Sequence, residues 1–400
     1  MDDNPLLKKH LRHWVYLGSF TFSLHIALSA YINSSYISSL IGEKWVGLFF
    51  IIASFLSIVL FFNIPAVLKK YSFQNVILWL AVMGFFLSGS LFFITSPIFF
   101  VIPVLTFFYV AGHLLKYVLD LYLESLSDDA DTGGIRGAIL TALNFGWISS
   151  PLFIGLILGV NNNYSLAYLA SSVAIIPFFL IALLTFKPFT KTETENILPE
   201  NSLKQTFKNI WQAKKGPEKD LHHVLAVDFV INFFYVFAFI YLPIYLNQYI
   251  GLPWSSIGVI FTIMLLPFIF LQYPLGRLAD KKLGEKEIMT TGLIILAVAT
   301  IAISFLDSQN IALWAVILLL GRAGLAAAEI SKESYLFKHI NSNDRNILSL
   351  SRMMFPISYI IGPITATCLL YFIDLKYIFI FVGLVVLYGI RHSLTIIDTK

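Results

Sequence analysis

Apolar stretches recur along the whole chain, and many of them are long enough to cross a lipid bilayer. Of the 400 residues, 58% are hydrophobic and 12% are charged, whereas ordinary soluble proteins carry about 25% charged residues. A helix needs about 18 or more consecutive, mostly apolar residues to span the hydrocarbon core. The composition therefore predicts an integral membrane protein, because a soluble domain of this kind would aggregate.

Twelve such stretches, numbered here as spans 1 to 12, predict an all-α membrane protein. They lie near residues 14–36, 45–68, 74–95, 97–124, 136–160, 165–186, 221–249, 254–279, 286–306, 310–338, 345–373 and 375–395. Several connections are only a few residues long, and such short connections join antiparallel neighbours. The twelve spans therefore alternate in direction across the membrane.

The basic residues predict the orientation of these spans. Lys44 and Lys376 fall in segments assigned to the outside, and Lys116, Arg322 and Arg352 fall within spans. The rest of the 27 lysines and arginines, Lys332 among them, are assigned to the other side. Since basic residues concentrate on the cytoplasmic side, we expect both termini in the cytoplasm of a bacterial inner (plasma) membrane.

Residues 187–220 form the one long polar insertion, and they separate six spans from six. We predict an N-terminal six-helix bundle at 1–186, a cytoplasmic linker at 187–220 and a C-terminal bundle at 221–400. In the linker, Leu203, Phe207, Ile210 and Trp211 share one helical face. This face suits an amphipathic helix on an anionic leaflet, and a solvated linker helix is the alternative.

The two halves carry the same charged pattern, each member of the second set lying 209 residues after its counterpart. The first set is His113, Asp120, Glu124 and Arg136, and the second is Arg322, Glu329, Glu333 and Arg345. Internal duplication of an apolar chain is typical of secondary transporters. We therefore expect two structurally related halves.

Polar side chains also concentrate on every third span. They are His25, Ser29 and Asn33 on span 1, His113, Lys116, Asp120 and Glu124 on span 4, Asp228, Asn232 and Tyr235 on span 7, and Arg322, Glu329 and Glu333 on span 10. Their spacings of 3, 4, 7 or 11 residues place them on one helical face. A charge in hydrocarbon costs about 2.5–3.5 kcal/mol or more, so we predict that the four faces line a watery cavity.

Two motifs accompany these spans. The loop after span 8 reads G-R-L-A-D-K-K-L-G-E-K from Gly276 to Lys286. Span 5 carries a glycine and proline pattern made of Gly137, Gly146, Pro151 and Gly155, with Ser150 and Ile154 at two further glycine positions. Small residues allow helices to approach closely, and proline permits a bend.

Over essentially its whole length the chain resembles the major facilitator superfamily. Its loop signature, G-x-L-a-D-R/K-x-G-R/K-R/K, is matched after span 8 with one extra residue, and the first-half loop at 63–75 has lost the glycine and the aspartate. The span 5 pattern is similar to the family's antiporter motif, with ordinary tight packing as the alternative. The resemblance implies two pseudo-symmetric six-helix bundles around a cavity lined by spans 1, 4, 7 and 10.

The resemblance and the repeat together predict a cytoplasmic gate. Its members are Glu124, Arg136, Gly276, Arg277, Asp280, Glu333 and Arg345. By the pseudo-twofold relation we expect Glu124 to pair with Arg345, and Glu333 with Arg136, across the two bundles. The alternative is that these are exposed helix-end charges, which contribute only about 0–1 kcal/mol per pair.

The deeper polar residues are predicted to bind substrate and protons in the central cavity. This set is His25, Asn33, His113, Asp120, Asp228, Asn232, Arg322 and Glu329. Asp120, Asp228 and Glu329 are candidates for proton binding, because burial favours the neutral carboxyl group; a plain Lys116–Asp120 pair is the alternative for the first. Arg322 stays charged, so it needs Glu329, Asp228, water or an anionic substrate.

These observations predict a secondary active transporter of a small organic solute that works by alternating access, with proton-coupled efflux by antiport favoured. The alternative is a proton-coupled importer of a sugar or another small nutrient. An integral membrane enzyme is a more remote alternative, since the acidic run at 128–131 has no partner cluster. We predict no catalytic residue, cofactor or metal. The predicted partners are the solute, protons and the lipid bilayer, and no nucleic acid is expected. The functional unit is predicted to be a monomer.

Overall fold

A computed structural model describes residues 5–94, 96–125, 132–159, 162–186, 217–278, 284–339 and 345–397. In these ranges twelve helical segments are long and apolar enough to cross a membrane. They are His13–Ile41, Glu43–Lys70, Phe73–Phe93, Ile98–Tyr122, Thr141–Leu158, Tyr164–Thr185, Asp220–Tyr249, Trp254–Leu278, Glu285–Ile303, Ile311–Leu336, Met353–Leu370 and Leu375–Thr395. The prediction of an all-α protein with twelve spans is confirmed.

The individual helices extend beyond or subdivide these segments. They are Pro5–Ala30, Asn33–Ile41, Glu43–Lys70, Phe73–Phe93, Ile98–Ser125, Thr132–Leu158, Tyr164–Thr185, Pro217–Val236, Leu242–Ile244, Trp254–Leu265, Pro267–Phe270, Gln272–Leu278, Glu285–Ile303, Ile311–His339, Arg345–Leu370 and Ile378–Thr395. Span 7 has two wider, π-helical stretches, Phe237–Tyr241 and Tyr245–Tyr249, on either side of Pro243. Such stretches are frequent near functional sites.

The chain divides into two compact units. The first comprises Met1–Leu198 with Pro253–Gly258, and the second comprises Pro199–Leu252 with Val259–Lys400. The predicted boundaries at 186 and 221 stay a prediction, and the amphipathic linker helix that we placed around Leu203 lies outside the described residues.

Corresponding spans have corresponding neighbours in the two units. In the first, span 1 packs against spans 5 and 6, span 3 against spans 4 and 6, and span 2 against span 4. In the second, span 7 packs against spans 11 and 12, span 9 against spans 10 and 12, and span 8 against span 10. The same arrangement six spans later gives two pseudo-symmetric six-helix bundles.

Large apolar side chains point outward along the spans. Phe86 is 65% exposed, Leu184 80% and Phe270 66%. Soluble monomers rarely expose apolar patches of more than a few hundred Å², so side chains of this kind are suited to contact with lipid.

Candidate functional site

Asp228 is the centre of a buried polar network in the second unit. Lys332 Nζ lies 2.8 Å from Asp228 Oδ1, and each of the two side chains is only 4% exposed. Ser351 Oγ donates to Asp228 Oδ2 at 2.5 Å, and Asn232 Nδ2 donates to Asp228 Oδ1 at 2.9 Å. Spans 7, 10 and 11 thus meet on one carboxylate, whose two oxygens both accept hydrogen bonds.

Lys332, which the distribution of basic residues assigned to the cytoplasmic side, is buried in the structure, with only 3% of its surface exposed. The structure places it inside span 10 with a second carboxylate, Glu333 Oε1, at 2.9 Å from Nζ. The assignment of basic residues to the two sides of the membrane treats each lysine as solvated. It therefore did not identify Lys332 as a member of a buried ion pair. Its position within predicted span 10, three residues after Glu329, was the signal that could have identified it.

Glu329, which also lies on span 10, accepts a hydrogen bond from a tyrosine of span 7. The Tyr235 hydroxyl donates to Glu329 Oε2 at 3.2 Å. Because Glu329 and Lys332 are three residues apart, their side chains share a helical face. Glu329 therefore lies on the side of span 10 that also carries Lys332, the partner of Asp228.

Arg322 lies seven residues, or about two helical turns, before Glu329 on span 10. Its surface is 2% exposed. Its guanidinium carbon is 5.4 Å from the ring centroids of Phe234 and Tyr235 and 5.9 Å from that of Phe239. Both terminal nitrogens are buried without a hydrogen-bond acceptor in the described part of the protein. This differs from the expectation of pairing with Glu329 or Asp228, since Asp228 is bound by Lys332 instead.

In the first unit, His25 and Asn33 make contacts between helices. His25 Nδ1 lies 2.8 Å from the carbonyl oxygen of Ser171 on span 6, and Ser171 Oγ donates back to the His25 carbonyl at 2.7 Å. The Tyr168 hydroxyl donates to Asn33 Oδ1 at 2.6 Å. Both predicted cavity residues thus tie span 1 to span 6, and their role with substrate or protons stays a prediction.

His113 and Asp120 lie on the helix Ile98–Ser125. His113 Nδ1 is 2.8 Å from the carbonyl oxygen of Tyr109, one turn earlier, and the two rings lie 4.2 Å apart. The side chains of His113 and Asp120 are both partly buried. The roles of both residues with substrate or protons stay predictions.

The predicted gate lies mainly at helix ends. Glu124 precedes the end of Ile98–Ser125, Arg136 lies in the first turns of Thr132–Leu158, and Arg345 begins Arg345–Leu370. The side chains of these three residues, and all of Asp280, lie outside the described residues. Both cross-bundle pairs therefore stay predictions.

The loop-signature residues that are described lie on the helix Gln272–Leu278. Arg277 is exposed. A Cβ atom added to Gly276 would lie 3.6 Å from Ile330 Cγ1, an ordinary van der Waals distance. The two residues thus lie at the end of span 8, against span 10, and their gating role stays a prediction.

The glycine and proline pattern of span 5 lies at two close contacts. A Cβ at Gly146 would lie 1.9 Å from Ser23 Oγ and 2.9 Å from the Phe20 carbonyl oxygen on span 1. A Cβ at Gly155 would lie 3.0 Å from the Trp254 carbonyl oxygen, and one at Gly258 would lie 2.4 Å from that of Pro151. Gly137 belongs to the same helix. This arrangement fits close packing, and a link to antiport stays a prediction.

Comparisons with known proteins agree with this architecture. The sequence profile of the Major Facilitator Superfamily matches residues 121–340 and 255–392, which together cover more than half of the chain. No curated protein sequence matches.

Within the described residues, no group of three or more histidine, cysteine, aspartate or glutamate side chains could hold a metal ion.

Two solved structures share the fold at low sequence identity. One is a POT family transporter in complex with a thioalcohol-conjugated peptide, with a TM-score of 0.74, 12% identity, and coverage of 95% of this chain and 94% of that one. The other is a bacterial homologue of the iron transporter ferroportin in an inward-facing state, with a TM-score of 0.68, 13% identity, and coverage of 96% and 97%. At these identities the similarity establishes the fold alone.

Proposed function

The chain belongs to the major facilitator superfamily, and from this premise we propose that it carries a small organic solute by alternating access coupled to protons. As a multi-pass membrane transporter of this superfamily, it has the fold for such a cycle. The Asp228–Lys332 ion pair, buried between spans 7 and 10, is the observation that carries the proposal. A buried ion pair is weak support for stability, since apolar replacements are often as stable, so its presence suits a functional role.

The pair has the parts of a proton-operated switch. A proton on Asp228 would remove the negative charge that holds Lys332, while Glu333 lies 2.9 Å from the same ammonium group and Glu329 shares its helical face. Lys332 would then change partners between span 7 and its own span 10. Because spans 7 and 10 would separate more easily in one protonation state, the proton would bias one conformation over another.

Two coupling directions are candidates. The span 5 pattern, with Gly146 and Gly155 at close helix contacts, favours antiport and therefore export. The buried, unpaired Arg322 favours the second candidate, entry of solute and proton together, because an anion and a proton cross with no net charge. We further propose a bacterial inner-membrane location with cytoplasmic termini, and a monomer as the working unit.

Flux into liposomes distinguishes these directions whatever the orientation of the protein. Purified protein would be screened against a solute library by thermal shift, and each labelled hit assayed in proteoliposomes. Antiport predicts accumulation when the lumen is acidic, and co-transport predicts accumulation when the lumen is alkaline. Equal flux with and without a pH gradient would contradict proton coupling, and a covalently altered solute would indicate an enzyme.

A further inference from the structure

The two terminal nitrogens of Arg322 are buried and have no hydrogen-bond acceptor in the part of the protein that the structure describes. The guanidinium keeps its charge at any physiological pH, and an unpaired charge in an apolar interior is expensive. Its neighbouring cation, Lys332, is already balanced by Asp228 and Glu333. We propose that Arg322 binds the negatively charged group of the transported solute, which is therefore an organic anion; this inference rests on the proposed transport function.

The rings around Arg322 hold the guanidinium without occupying its donors. Phe234, Tyr235 and Phe239 approach it at 5.4–5.9 Å from their centroids to the guanidinium carbon. Cation–π attraction of this kind amounts to about 0.5–2 kcal/mol, and it leaves the terminal N–H groups free for an acceptor. A planar fork of free donors matches a carboxylate or phosphate group bidentately.

The cavity beside Arg322 favours an apolar body on that anion. It is lined mostly by aliphatic and aromatic side chains of the second unit, among them Phe237, Met264, Leu318 and Phe379. Its one lining hydroxyl, on Thr300, already donates to the Leu296 carbonyl oxygen at 2.6 Å. The cavity measures about 20 Å³, enough for about one water molecule. An anion with an apolar body would therefore fit only after these side chains move apart, and the same walls offer a sugar few partners.

The position of Arg322 also connects the anion to the proton switch. Tyr235 lies against the guanidinium and donates its hydroxyl to Glu329, so one side chain contacts both groups. An anion seated on Arg322 would therefore alter the field at Glu329 in a medium of low dielectric constant. We therefore expect a proton to enter together with the solute, because one negative charge and one proton cross the membrane with no net charge.

The test uses thermal unfolding of the purified full chain in detergent with four related probes. These are benzoate, phenyl phosphate, the neutral benzamide and the cationic benzylamine. We expect benzoate, phenyl phosphate or both to stabilise the protein, and benzamide and benzylamine to have little effect. Loss of a charged hydrogen-bond pair corresponds to about tenfold or more in affinity, so Arg322→Gln should weaken anion binding by at least about that factor.

Two further variants keep the test decisive. Arg322→Lys retains the charge without the fork and should bind the anions more weakly than the natural protein but more tightly than Arg322→Gln. Lys44→Gln removes an exposed positive charge far from Arg322 along the chain and should retain anion binding, which shows that loss of a positive charge alone does not weaken it. Equal stabilisation by benzoate and benzamide, no response to either anion, or unchanged anion binding by Arg322→Gln would overturn the inference.

The proposed function can fail separately from this inference. Anion binding that depends on Arg322, with solute flux indifferent to a pH gradient, would contradict proton coupling and leave the anion site standing. Gradient-driven flux of neutral library hits, with no anion binding, would contradict the anion site and support the coupled transporter.

Discussion

Single buried charges on spans 7 and 10 distinguish this protein from a bundle made only for packing. Asp228 accepts from Lys332, Ser351 and Asn232, so its carboxylate is stabilised by three side chains at once. Removing one member of a buried ion pair typically costs about 3–5 kcal/mol, whereas replacing both members with neutral groups can be nearly neutral. The network is therefore interdependent and can be tested by paired substitutions.

We predict that Lys332→Gln lowers the free energy of unfolding by about 3–5 kcal/mol, because it strands the Asp228 carboxylate, and that adding Asp228→Asn recovers most of the loss. Chemical denaturation in detergent micelles measures all the variants. Lys44→Gln is the control, since Lys44 is exposed and such surface changes stay within about 0.5 kcal/mol. A double variant as unstable as the single one would show that the two side chains do not act as a pair.

Sequence spacing alone identifies four of the residues at this site. Asp228, Asn232, Arg322 and Glu329 stand out because a polar group in an apolar helix is costly and periodic spacing assigns it a face. Ser351 and Lys332 were missed for different reasons. A serine on span 11 has no charge to mark it, and a lysine near a span end resembles a cytoplasmic anchor until its acidic partner on another helix is located.

At the scale of helices, glycine contacts set how closely spans 9 and 10 approach. A Cβ on Gly292 would lie 2.5 Å from the Gly324 carbonyl oxygen, and one on Gly324 would lie 2.5 Å from that of Gly292. Both obstacles are backbone atoms, which cannot rotate away. Close packing of backbones is a main source of helix association within membranes, so this crossing positions the span that carries Arg322, Glu329 and Lys332.

We predict that Gly324→Ala destabilises the protein by about 1–3 kcal/mol, the usual cost of forcing extra volume into a packed interior. Gly112→Ala is the matched control, because a Cβ there would lie 3.6 Å from Ile26 Cδ1 and alanine favours helix over glycine by up to about 1 kcal/mol. Thermal unfolding in detergent compares the two. If Gly324→Ala were as stable as Gly112→Ala, the close crossing would be in error.

Hydropathy predicted the existence of every span, and the described spans mostly begin and end within a few residues of the expected positions. This works because bilayer thickness fixes the length of an apolar helix. The break in span 1 between Ala30 and Asn33, and the wide turns around Pro243, were not predicted. Such local changes of winding depend on neighbouring helices and leave no periodic mark on the sequence.

For the whole molecule, the distribution of basic residues predicts cytoplasmic termini. Lys44 and Lys70 are both exposed and lie at opposite ends of Glu43–Lys70, so they should face opposite sides. With the single cysteine removed by Cys368→Ser, a membrane-impermeant maleimide should label a Lys44→Cys variant in intact spheroplasts. A Lys70→Cys variant should react only after lysis. The reverse pattern would invert the predicted topology.

The predicted pairing of Glu333 with Arg136 also belongs to this scale, since it joins the two bundles. We expect Glu333→Arg and Arg136→Glu each to reduce solute flux, and the combined reversal to restore a substantial part of it, because the opposite charges face each other again. Flux in proteoliposomes, normalised to reconstituted protein, measures this. Glu333→Arg also removes the contact with Lys332, so Glu333→Gln serves as the control for that loss. No recovery in the double reversal would contradict the pairing.

The central claim is that the buried carboxylates of spans 7 and 10 couple solute movement to protons. The most direct measurement is uptake of a labelled thermal-shift hit into proteoliposomes with an imposed pH gradient, with and without a protonophore. We predict gradient-driven accumulation by the natural protein and by Lys44→Gln, and solute binding without any gradient response by Asp228→Asn and Glu329→Gln. Full gradient-driven accumulation by both carboxylate variants, or gradient-independent uptake by the natural protein, would contradict the account.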